Sequence, residues 1–369
     1  MGGVNAVELE KVFPRIGEAA LDPTVWPQIM EAICSAACAS GAALLQSDVR
    51  TPDIPRTASV NDLIRHYFQH NLHLRDRRAV GAVPLLLAGA PVVTDQDILT
   101  PDEMRRDAFY AEALLPFGLQ WFAVVGFRAG RALWGLSIQR TPRELPFEEQ
   151  QKRILAVLSQ RLTEVASLSA AVGRIALVSA TNALNAVRQP AIAIDRFGFV
   201  LDANPAAEAL FDQHIRIKDG RLVVGDASAR SCLEKLIDRV RITPDTETLP
   251  CDPIVIRRQE KTSVIARILP VHGAARTPFL AARVILTLIP VEHKPRPKVD
   301  LLAKAFGLTP AEARLASIIA EGVSPEHAAE ELGIARVTAR NQLRAIFSKT
   351  ATRIAKANWL LFSLAFSAA

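Results

Sequence analysis

The chain has 369 residues, and at roughly 150 residues per domain this length predicts two or three domains. With 50% hydrophobic and 22% charged residues and a net charge of +6, its composition is typical of a folded protein and excludes a mainly disordered one. The four cysteines are too few for a disulfide framework, and neither a secretory signal nor an apolar run of about 18 residues is evident, so the sequence predicts a cytoplasmic protein that does not enter a membrane.

The first unit, which extends to about residue 146, mixes predicted helices with a strand pair. Apolar periodicity predicts helices over 23–39, 60–72 and 101–115. Strands over 120–127 and 132–138 flank a turn at 128–131, and this arrangement predicts a β-hairpin.

Three histidines of the first unit are candidate metal ligands. The spacing of His66, His70 and His73 predicts three imidazoles on one helical face with Asp76 close by, and imidazoles so arranged can bind zinc or another transition metal. Apolar residues interleave with them, which equally favours the polar face of an amphipathic helix. The sequence leaves both interpretations open.

Other side chains of this unit also allow two interpretations. Cys34 and Cys38 lie one helical turn apart among alanines, so they are predicted to be small core residues. Tyr110, Trp121 and Trp134 could line a pocket, although aromatic residues near strands usually belong to the core.

A long helix is predicted from Phe147 to Arg188, because this stretch contains neither a proline nor a turn cluster and its apolar residues recur at helical spacing. Val165, Leu168, Val172 and Ile175 hold the a/d spacing of a coiled coil, which predicts pairing with a second copy of the same helix. Pro190 ends the helix.

The sequence predicts an antiparallel sheet for the middle unit, which follows the long helix. Apolar strands are predicted over 191–195, 199–202, 253–256, 263–271 and 281–291. Asn204-Pro205 is a helix start with a capping side chain, and Asp219-Gly220 predicts a tight hairpin.

No cofactor is indicated for this unit. His214 could in principle bind haem, but a single histidine beside an apolar run is more often structural. Neither Cys232 nor Cys251 lies in a motif that marks a flavin-reactive thiol. The cofactor therefore stays unknown.

A proline-rich linker over 290–298 precedes a helical unit. The sequence predicts helices from the Thr309–Glu312 capping box to Gly322, from Ser324 to Gly333, from Ala335 to about Thr350, and from about Arg353 onward. A short helix, a glycine turn and a further helix form the helix-turn-helix unit.

Charge is segregated within this helical unit. Residues 300–331 contain six acidic and two basic residues, whereas residues 332–369 contain six basic residues and no acidic one. On the third predicted helix, Arg340, Asn341 and Arg344 adjoin an apolar side that includes Leu343. Arginine can read guanine and asparagine can read adenine in the major groove, so the pattern indicates DNA binding; a solvated basic face is the alternative.

The helical unit closely resembles the LuxR-type DNA-binding domain over about 300–365. The resemblance rests on LTPAE (308–312), AEGVS (320–324), AAEELGI (328–334), TARNQL (338–343) and IFSKT (346–350). It implies that the third helix enters the major groove, with Arg340, Asn341 and Arg344 on bases and Thr338 and Lys349 on phosphates. Arg336 and Val337, at the start of that helix, are implied as additional contacts.

Three positions depart from the family pattern. Ala335 stands where the family usually has serine, so the third helix lacks a side-chain cap, a loss of roughly 0.5–2 kcal/mol. Gln342 replaces a usual histidine, and Thr350 a usual leucine. These departures bear on affinity and register.

The fourth predicted helix has two apolar sides, one with Leu360, Leu361 and Leu364 and another with Trp359 and Phe362. A monomeric domain needs only one apolar side. Self-association, as in the family, explains the second side best, and packing onto the upstream domains is the competing interpretation.

The upstream units resemble sensory domains. The segment PAIAIDRFGFVLDANPAAEALF (190–211) looks like the opening of a PAS domain, and the order of elements before it resembles a GAF domain. The predicted boundaries are a GAF-like sensor over 1–165, a signalling helix over 166–188, a PAS-like domain over 189–292, a linker over 293–299 and the helix-turn-helix domain over 300–369.

The sequence as a whole predicts a multidomain α+β protein, with GAF-like and PAS-like antiparallel sheets followed by an all-α four-helix DNA-binding domain. The predicted function is a homodimeric, sequence-specific transcription regulator that responds to a small-molecule effector. The alternatives are a sensory scaffold with a vestigial DNA-binding head and a constitutive DNA binder without a ligand. No nucleophile elbow, phosphate-binding glycine loop or metalloprotease signature is found, so no enzymatic activity is expected.

Overall fold

The computed structural model describes residues 3–47, 54–243, 252–291 and 296–350. It is a mixed α and β structure with antiparallel sheets, and 13 α-helices lie within the described residues. The chain divides into two compact units, one containing residues up to Arg258 together with Ile265–Ile289, and the other containing Gln259–Val264 together with the residues from Pro290 onward. The predicted boundaries between domains stay predictions.

A four-stranded antiparallel sheet organises the first part of the chain. Its strands are β1 (Gly41–Gln46), β2 (Val92–Thr94), β3 (Trp121–Ala129) and β4 (Ala132–Arg140), in the order β1-β4-β3-β2. The predicted hairpin is confirmed as β3 and β4, whose pairing runs from Trp121 opposite Arg140 to Ala129 opposite Ala132. Gly130 takes the left-handed conformation that this tight turn requires.

Helices cover both faces of this sheet. They are α1 (Ala6–Glu10), α2 (Phe13–Glu18), α3 (Trp26–Ala36), α4 (Asn61–Gln69), α5 (Arg77–Leu87) and α6 (Pro101–Arg106). Because side chains alternate along a strand, Val125 packs in a core with α1–α3, whereas Val124 packs in a separate core with α5.

Two of the predicted helices are shorter than expected. The helix predicted over 60–72 ends at Gln69 because Asn71 adopts a left-handed conformation, and a separate short turn follows over Leu72–Arg75. The helix predicted over 101–115 is interrupted at Asp107, whose backbone is extended and whose side chain accepts a hydrogen bond from the amide of Phe109. A capping side chain therefore overrides apolar periodicity at Asp107, whereas a left-handed backbone residue, Asn71, does so after α4.

The predicted long helix is confirmed as α7 (Glu149–Ala186), which has 38 residues. Its buried residues contact the first sheet and also a second sheet further along the chain. Leu168 and Ile175 of the predicted a/d stripe are exposed, and Val165 and Val172 are half-buried. Pairing with another copy stays a prediction.

By length and composition, α7 would also qualify as a membrane span. This differs from the sequence prediction, which counted only uninterrupted apolar runs. A single helix of this kind is weak evidence, because a helix in the core of a water-soluble protein meets the same criteria.

The second sheet follows α7. Its strands are β5 (Ala191–Asp195), β6 (Val200–Ala203), β9 (Ile254–Arg258), β10 (Lys261–Pro270) and β11 (Ala282–Pro290), in the order β6-β5-β11-β10-β9, and the hairpin β7 (Ile215–Lys218) and β8 (Arg221–Val224) lies between β6 and β9 in sequence. The predicted cap and hairpin are confirmed: Asn204 caps α8 (Pro205–Glu208), and Asp219 and Gly220 both have positive φ. The sequence did not predict α9 (Ala227–Ile242).

Four helices lie in residues 296–350 of the second unit, the segment called the helical unit above. They are α10 (Val299–Phe306), α11 (Pro310–Ile319), α12 (Pro325–Glu331) and α13 (Arg336–Lys349). The capping box predicted at Thr309 and Glu312 is confirmed at the start of α11. The helix predicted from Arg353, with both of its apolar sides, lies outside the described residues.

Residues 296–306 contact the helices that follow them in the helical unit. Arg296 forms ion pairs with Glu321 and Glu331, and the carbonyl of Pro297 accepts a hydrogen bond of 2.7 Å from Ser317 Oγ. The next segment is helical from Val299, where the sequence predicted no helix. The end of the proline-rich segment is therefore bound to the helical unit rather than exposed as a free linker.

Candidate nucleic-acid interface and an internal pocket

The helix α13 begins without a side-chain cap. Ala335 has the extended backbone of a capping residue, but no side chain accepts a hydrogen bond from the first turn. This confirms the predicted consequence of alanine at this position. The first backbone amides of α13 therefore receive no capping hydrogen bond. They belong to the turn that contains Arg336, Val337 and Thr338.

One side of α13 holds it in the core of the helical unit. Ala339, Leu343 and Ile346 are buried in one cluster with residues of α11 and α12, and Phe347 is partly buried beside them. This is the buried side that the sequence predicted. Because these positions recur every three or four residues, the remaining sides of the helix face outward.

The exposed sides of α13 contain the predicted base-contacting residues. Arg340 is 69% exposed, and Asn341 and Arg344 are exposed as well. Arg336, Val337 and Thr338 extend this surface at the start of the helix. Arginine and asparagine side chains presented on a helix can donate paired hydrogen bonds to base edges.

Two of the arginines have acidic neighbours on α12. Arg336 lies 3.4 Å from Glu330, and Arg340 lies 3.5 Å from Glu326. Exposed pairs of this kind contribute roughly 0–1 kcal/mol, so exchanging the carboxylate for a phosphate or a base costs little. Arg344 has no ion-pair partner among the residues that the structure describes.

Lys349 is held within its own unit. Its Nζ donates a 2.7 Å hydrogen bond to Glu312, which also accepts one from the amide of Thr309. Lys349 and the Thr309 amide lower the pKa of Glu312, so this carboxylate is charged at neutral pH. An ammonium group has three donors, and the predicted contact of Lys349 with phosphate would use the other two.

A pocket lies in the first unit on the face of the first sheet opposite α7. Helices α4 and α5 form one wall, and β3, β4 and the end of β1 form the other. The empty volume between the lining residues is about 860 Å³, which includes solvent space at the open mouth of the pocket. Most of the lining is apolar, with Leu63, Leu86 and Phe122 as representatives.

A buried arginine, Arg78, is one of the residues that line this pocket. Arg78 Nε lies 2.9 Å from Asp95, and its two terminal nitrogens donate to Gln139 Oε1 at 2.8 Å and to the carbonyl of Gln120 at 2.6 Å. Asp95 also accepts hydrogen bonds from the Tyr110 hydroxyl and from the amide of Phe122. The network connects α5, β3, β4 and the segment after β2.

Burial and the neighbouring charges shift the pKa values of Asp95 and Arg78. Burial raises the pKa of Asp95, although Arg78, Tyr110 and Phe122 act in the opposite direction. Burial alone would lower the pKa of Arg78, but Asp95 and Tyr110 outweigh it and raise that pKa. Arg78 is therefore a permanent buried cation with a carboxylate beside it.

Two further polar pairs border the pocket. The Tyr67 hydroxyl donates a 2.6 Å hydrogen bond to Asp76, whose other oxygen caps α5 through the amide of Ala79. On β4, Gln139 Nε2 donates to Ser137 Oγ at 2.7 Å. Periodicity cannot find these groups, because they lie on α4, at the start of α5 and on β4, but polar Ser137 and Gln139 alternating along an apolar strand were a usable signal.

The three candidate metal ligands do not share one face. The rings of His66 and His70 are 4.3 Å apart, but His73 lies beyond the left-handed Asn71 and packs against Phe68. Among the described residues, no group of three or more histidine, cysteine or acidic side chains could hold a metal ion. The interpretation that all three imidazoles lie on one helical face is wrong, because α4 ends before the third one.

The remaining candidates of the first unit are structural. Cys34 is buried as predicted, and burial raises the pKa of its thiol to about 12, whereas Cys38 is half-buried. Trp134 borders the pocket, but its ring packs against Phe127 and Phe279. Tyr110 belongs to the buried network described above.

His214 and Cys232 are the cofactor candidates of the middle unit that lie within the described residues. His214 is half-buried beside Gln213, with 3.2 Å between their side-chain nitrogens. Cys232 is exposed, and Cys251 lies outside the described residues.

Comparison with known proteins gives no family. No protein-family model matches the chain, and no curated protein matches it. Among solved structures, the phage VqmA–DPO complex aligns at 14% identity and a TM-score of 0.20, covering 52% of this chain and 90% of that one. The Escherichia coli DhaR(N)–DhaL complex aligns at 12% identity and a TM-score of 0.25, covering 79% and 91%. Scores this low do not define a common fold.

Proposed function

We propose that this protein is a sequence-specific DNA-binding transcription regulator whose activity responds to a small molecule. The observation that carries the proposal is the exposed surface of α13, where Arg336, Arg340, Asn341 and Arg344 stand outward while the opposite side is buried in the helical core. A helix held in this way can enter the major groove while its buried side keeps all of its contacts with the core.

The domain assignment belongs to the same proposal. We assign residues 300–369 to a LuxR-type helix-turn-helix domain, residues 189–292 to a PAS-like domain and residues 1–165 to a GAF-like domain. The motif match, the four described helices and the two antiparallel sheets support this assignment. The proposed setting is the cytoplasm, and no enzymatic activity or cofactor is part of the proposal.

The regulator is proposed to act as a homodimer that pairs through α7. Val157, Leu168 and Ile175 are each more than half exposed along this helix, so an apolar stripe remains outside the chain's own core. Two paired chains would present two copies of α13 to successive major grooves.

A series of contacts links the pocket to α7. Leu86, which lines the pocket, packs so closely on Gly126 of β3 that a Cβ there would lie 2.8 Å from it. The carbonyl of Gly126 accepts a hydrogen bond from the hydroxyl of Ser159 on α7. The amide of Arg128, also on β3, donates to the hydroxyl of Thr163 on α7 at 3.1 Å. Effector binding in the pocket could therefore bias the pairing of α7 through β3.

The test is DNA binding by the full chain as a function of salt. Duplexes enriched from a random-sequence pool are titrated with the wild-type chain and with Arg340→Ala/Arg344→Ala. We expect the double variant to lose about 100-fold or more in affinity for the enriched sequence. The wild-type affinity should also fall steeply with added salt.

A matched control is Arg131→Ala/Arg143→Ala, which removes the same charge from exposed positions in the first unit. Its DNA affinity should stay within threefold of wild type. Absent or salt-insensitive binding by the wild-type chain would favour the sensory scaffold with a vestigial head. DNA binding that no small molecule alters would favour the constitutive DNA binder.

A further inference from the structure

The pocket of the first unit is apolar on both walls. Leu63 and Ile64 of α4 and Leu86 of α5 line one wall, and Phe122 and Val124 of β3 line the other. Apolar surface of this kind gains free energy when a ligand covers it, at roughly 25 cal/mol per Å². The main part of any ligand that fills the pocket must be apolar.

The buried charges at and beside the pocket disfavour anions. Two carboxylates, Asp76 and Asp95, lie near a single guanidinium, that of Arg78. Each nitrogen of Arg78 already donates to an acceptor of the chain, and aromatic rings lie over the guanidinium at 4.5 Å and 4.9 Å. A carboxylate or phosphate would enter a site with excess negative charge and an arginine already engaged.

A cation is disfavoured for a different reason. Both oxygens of Asp76 already accept hydrogen bonds, one from Tyr67 and one from the amide of Ala79. An ammonium group would lose its hydration against largely apolar walls without gaining a carboxylate dedicated to it.

One buried hydroxyl offers a hydrogen bond to a ligand. Ser137 is 5% exposed, lines the pocket and accepts a hydrogen bond from Gln139 Nε2. No acceptor within the described part of the chain receives the proton of its own hydroxyl. A buried donor is normally satisfied, and an oxygen of a bound molecule would satisfy this one.

From this combination we infer that the pocket binds an uncharged, mainly apolar small molecule whose carbonyl or hydroxyl oxygen accepts the hydrogen bond of Ser137. This inference rests on the proposed function, since it names the chemical class of the effector. It treats Arg78 and Asp95 as the structural end of the site rather than as ligand contacts.

The test compares three probes that share one carbon skeleton: 3-phenylpropanamide, 3-phenylpropanoate and 3-phenylpropylammonium. Their affinities for the full-length chain are measured by isothermal titration calorimetry. We expect the amide to bind at least tenfold more tightly than either charged probe. Equal or tighter binding of the anion or the cation, or no binding of any probe at millimolar concentration, would overturn the inference.

Three variants locate the probe. Ser137→Ala should weaken binding of the amide about threefold to tenfold, the loss expected for one hydrogen bond, and leave the weak binding of 3-phenylpropylammonium, which has no acceptor, unchanged. Ala82→Phe, which fills the pocket from α5, should abolish binding, whereas Val80→Phe on the exposed side of the same helix should not. If Ala82→Phe fails to fold, Ser137→Ala still decides, because an unchanged affinity in that variant contradicts the inference.

The two proposals can fail separately. DNA binding is measured without a probe, and probe binding is measured without DNA. Salt-dependent DNA binding together with no probe binding refutes the ligand class alone. Selective binding of the amide by a chain that does not bind DNA refutes the regulator function alone.

Discussion

Two arginines of this chain illustrate how differently its two units use charge. Arg340 on α13 is 69% exposed and lies 3.5 Å from a partly exposed Glu326. Arg78 in the first unit is 6% exposed and lies 2.9 Å from Asp95, which is itself 1% exposed. The first side chain can change partners at little cost, whereas the second cannot leave its network without leaving a buried carboxylate behind.

This difference separates a binding surface from a structural support. An arginine that is to meet DNA must be hydrated and weakly paired in the free protein, because its intramolecular bonds have to be replaced on binding. An arginine that shapes a pocket must be fully bonded, because a buried unpaired charge is costly. Substitutions at these and related positions should therefore change protein stability by very different amounts.

The largest effect is expected for Arg78→Met. Removing one partner of a buried ion pair typically costs about 3–5 kcal/mol, and here the substitution also deprives Gln139 and the carbonyl of Gln120 of a donor. Urea unfolding of the full chain measures the loss. Arg77→Met, next to it and half-exposed, is the matched control and should lose less than about 1 kcal/mol. Equal losses in both variants would contradict the structural role of Arg78.

A smaller effect is expected for Glu312→Gln. Glutamine keeps a capping oxygen for Thr309 but loses the charge that pairs with Lys349, at a cost on the order of 1 kcal/mol at pH 7. The pKa of Glu312 is lower in the folded chain than its ordinary value near 4.5. Its contribution to stability is therefore complete above about pH 4.5 and is lost as the pH falls below that value.

The pH dependence of that variant supplies the measurement. Unfolding free energies of wild type and Glu312→Gln, taken between pH 7 and pH 3, should converge as the pH decreases. A constant difference across this range would show that the charge of Glu312 does not contribute, and that only its shape matters.

A gain of roughly 0.5–2 kcal/mol is expected for Ala335→Ser, because serine can accept a hydrogen bond from the uncapped first turn of α13. Thermal unfolding should show a higher melting temperature. Ala345→Ser, within the same helix, offers no cap and should give no increase. An unchanged or lower melting temperature for Ala335→Ser would mean that α13 starts elsewhere.

The smallest effect on stability is expected for Arg340→Ala. The side chain is exposed and its ion pair is long, so the free energy of unfolding should change by no more than about 0.5 kcal/mol. The same variant should weaken DNA binding measurably. A large loss of stability would place Arg340 in the same class as Arg78 and remove the contrast between the two units.

The local features of this protein were predictable from its sequence because each depends on neighbours in the chain. The caps at Asn204 and Thr309, the Asp219-Gly220 turn and the buried side of α13 around Leu343 all follow from residues a few positions apart. For the same reason, the exposed positions of Arg340 and Arg344 could be derived from helical spacing alone.

The tertiary structure alone decided which distant side chains meet. Arg78 and Asp95 are 17 residues apart, and Gln139 is 61 residues from Arg78, so no periodicity connects them. The candidate metal cluster was mistaken for a related reason, since a single left-handed residue, Asn71, turns His73 away from His66. Helical repeats specify which face of an element is buried, whereas the partner of a buried charge depends on how separate elements pack, and that is where the pocket of this protein arises.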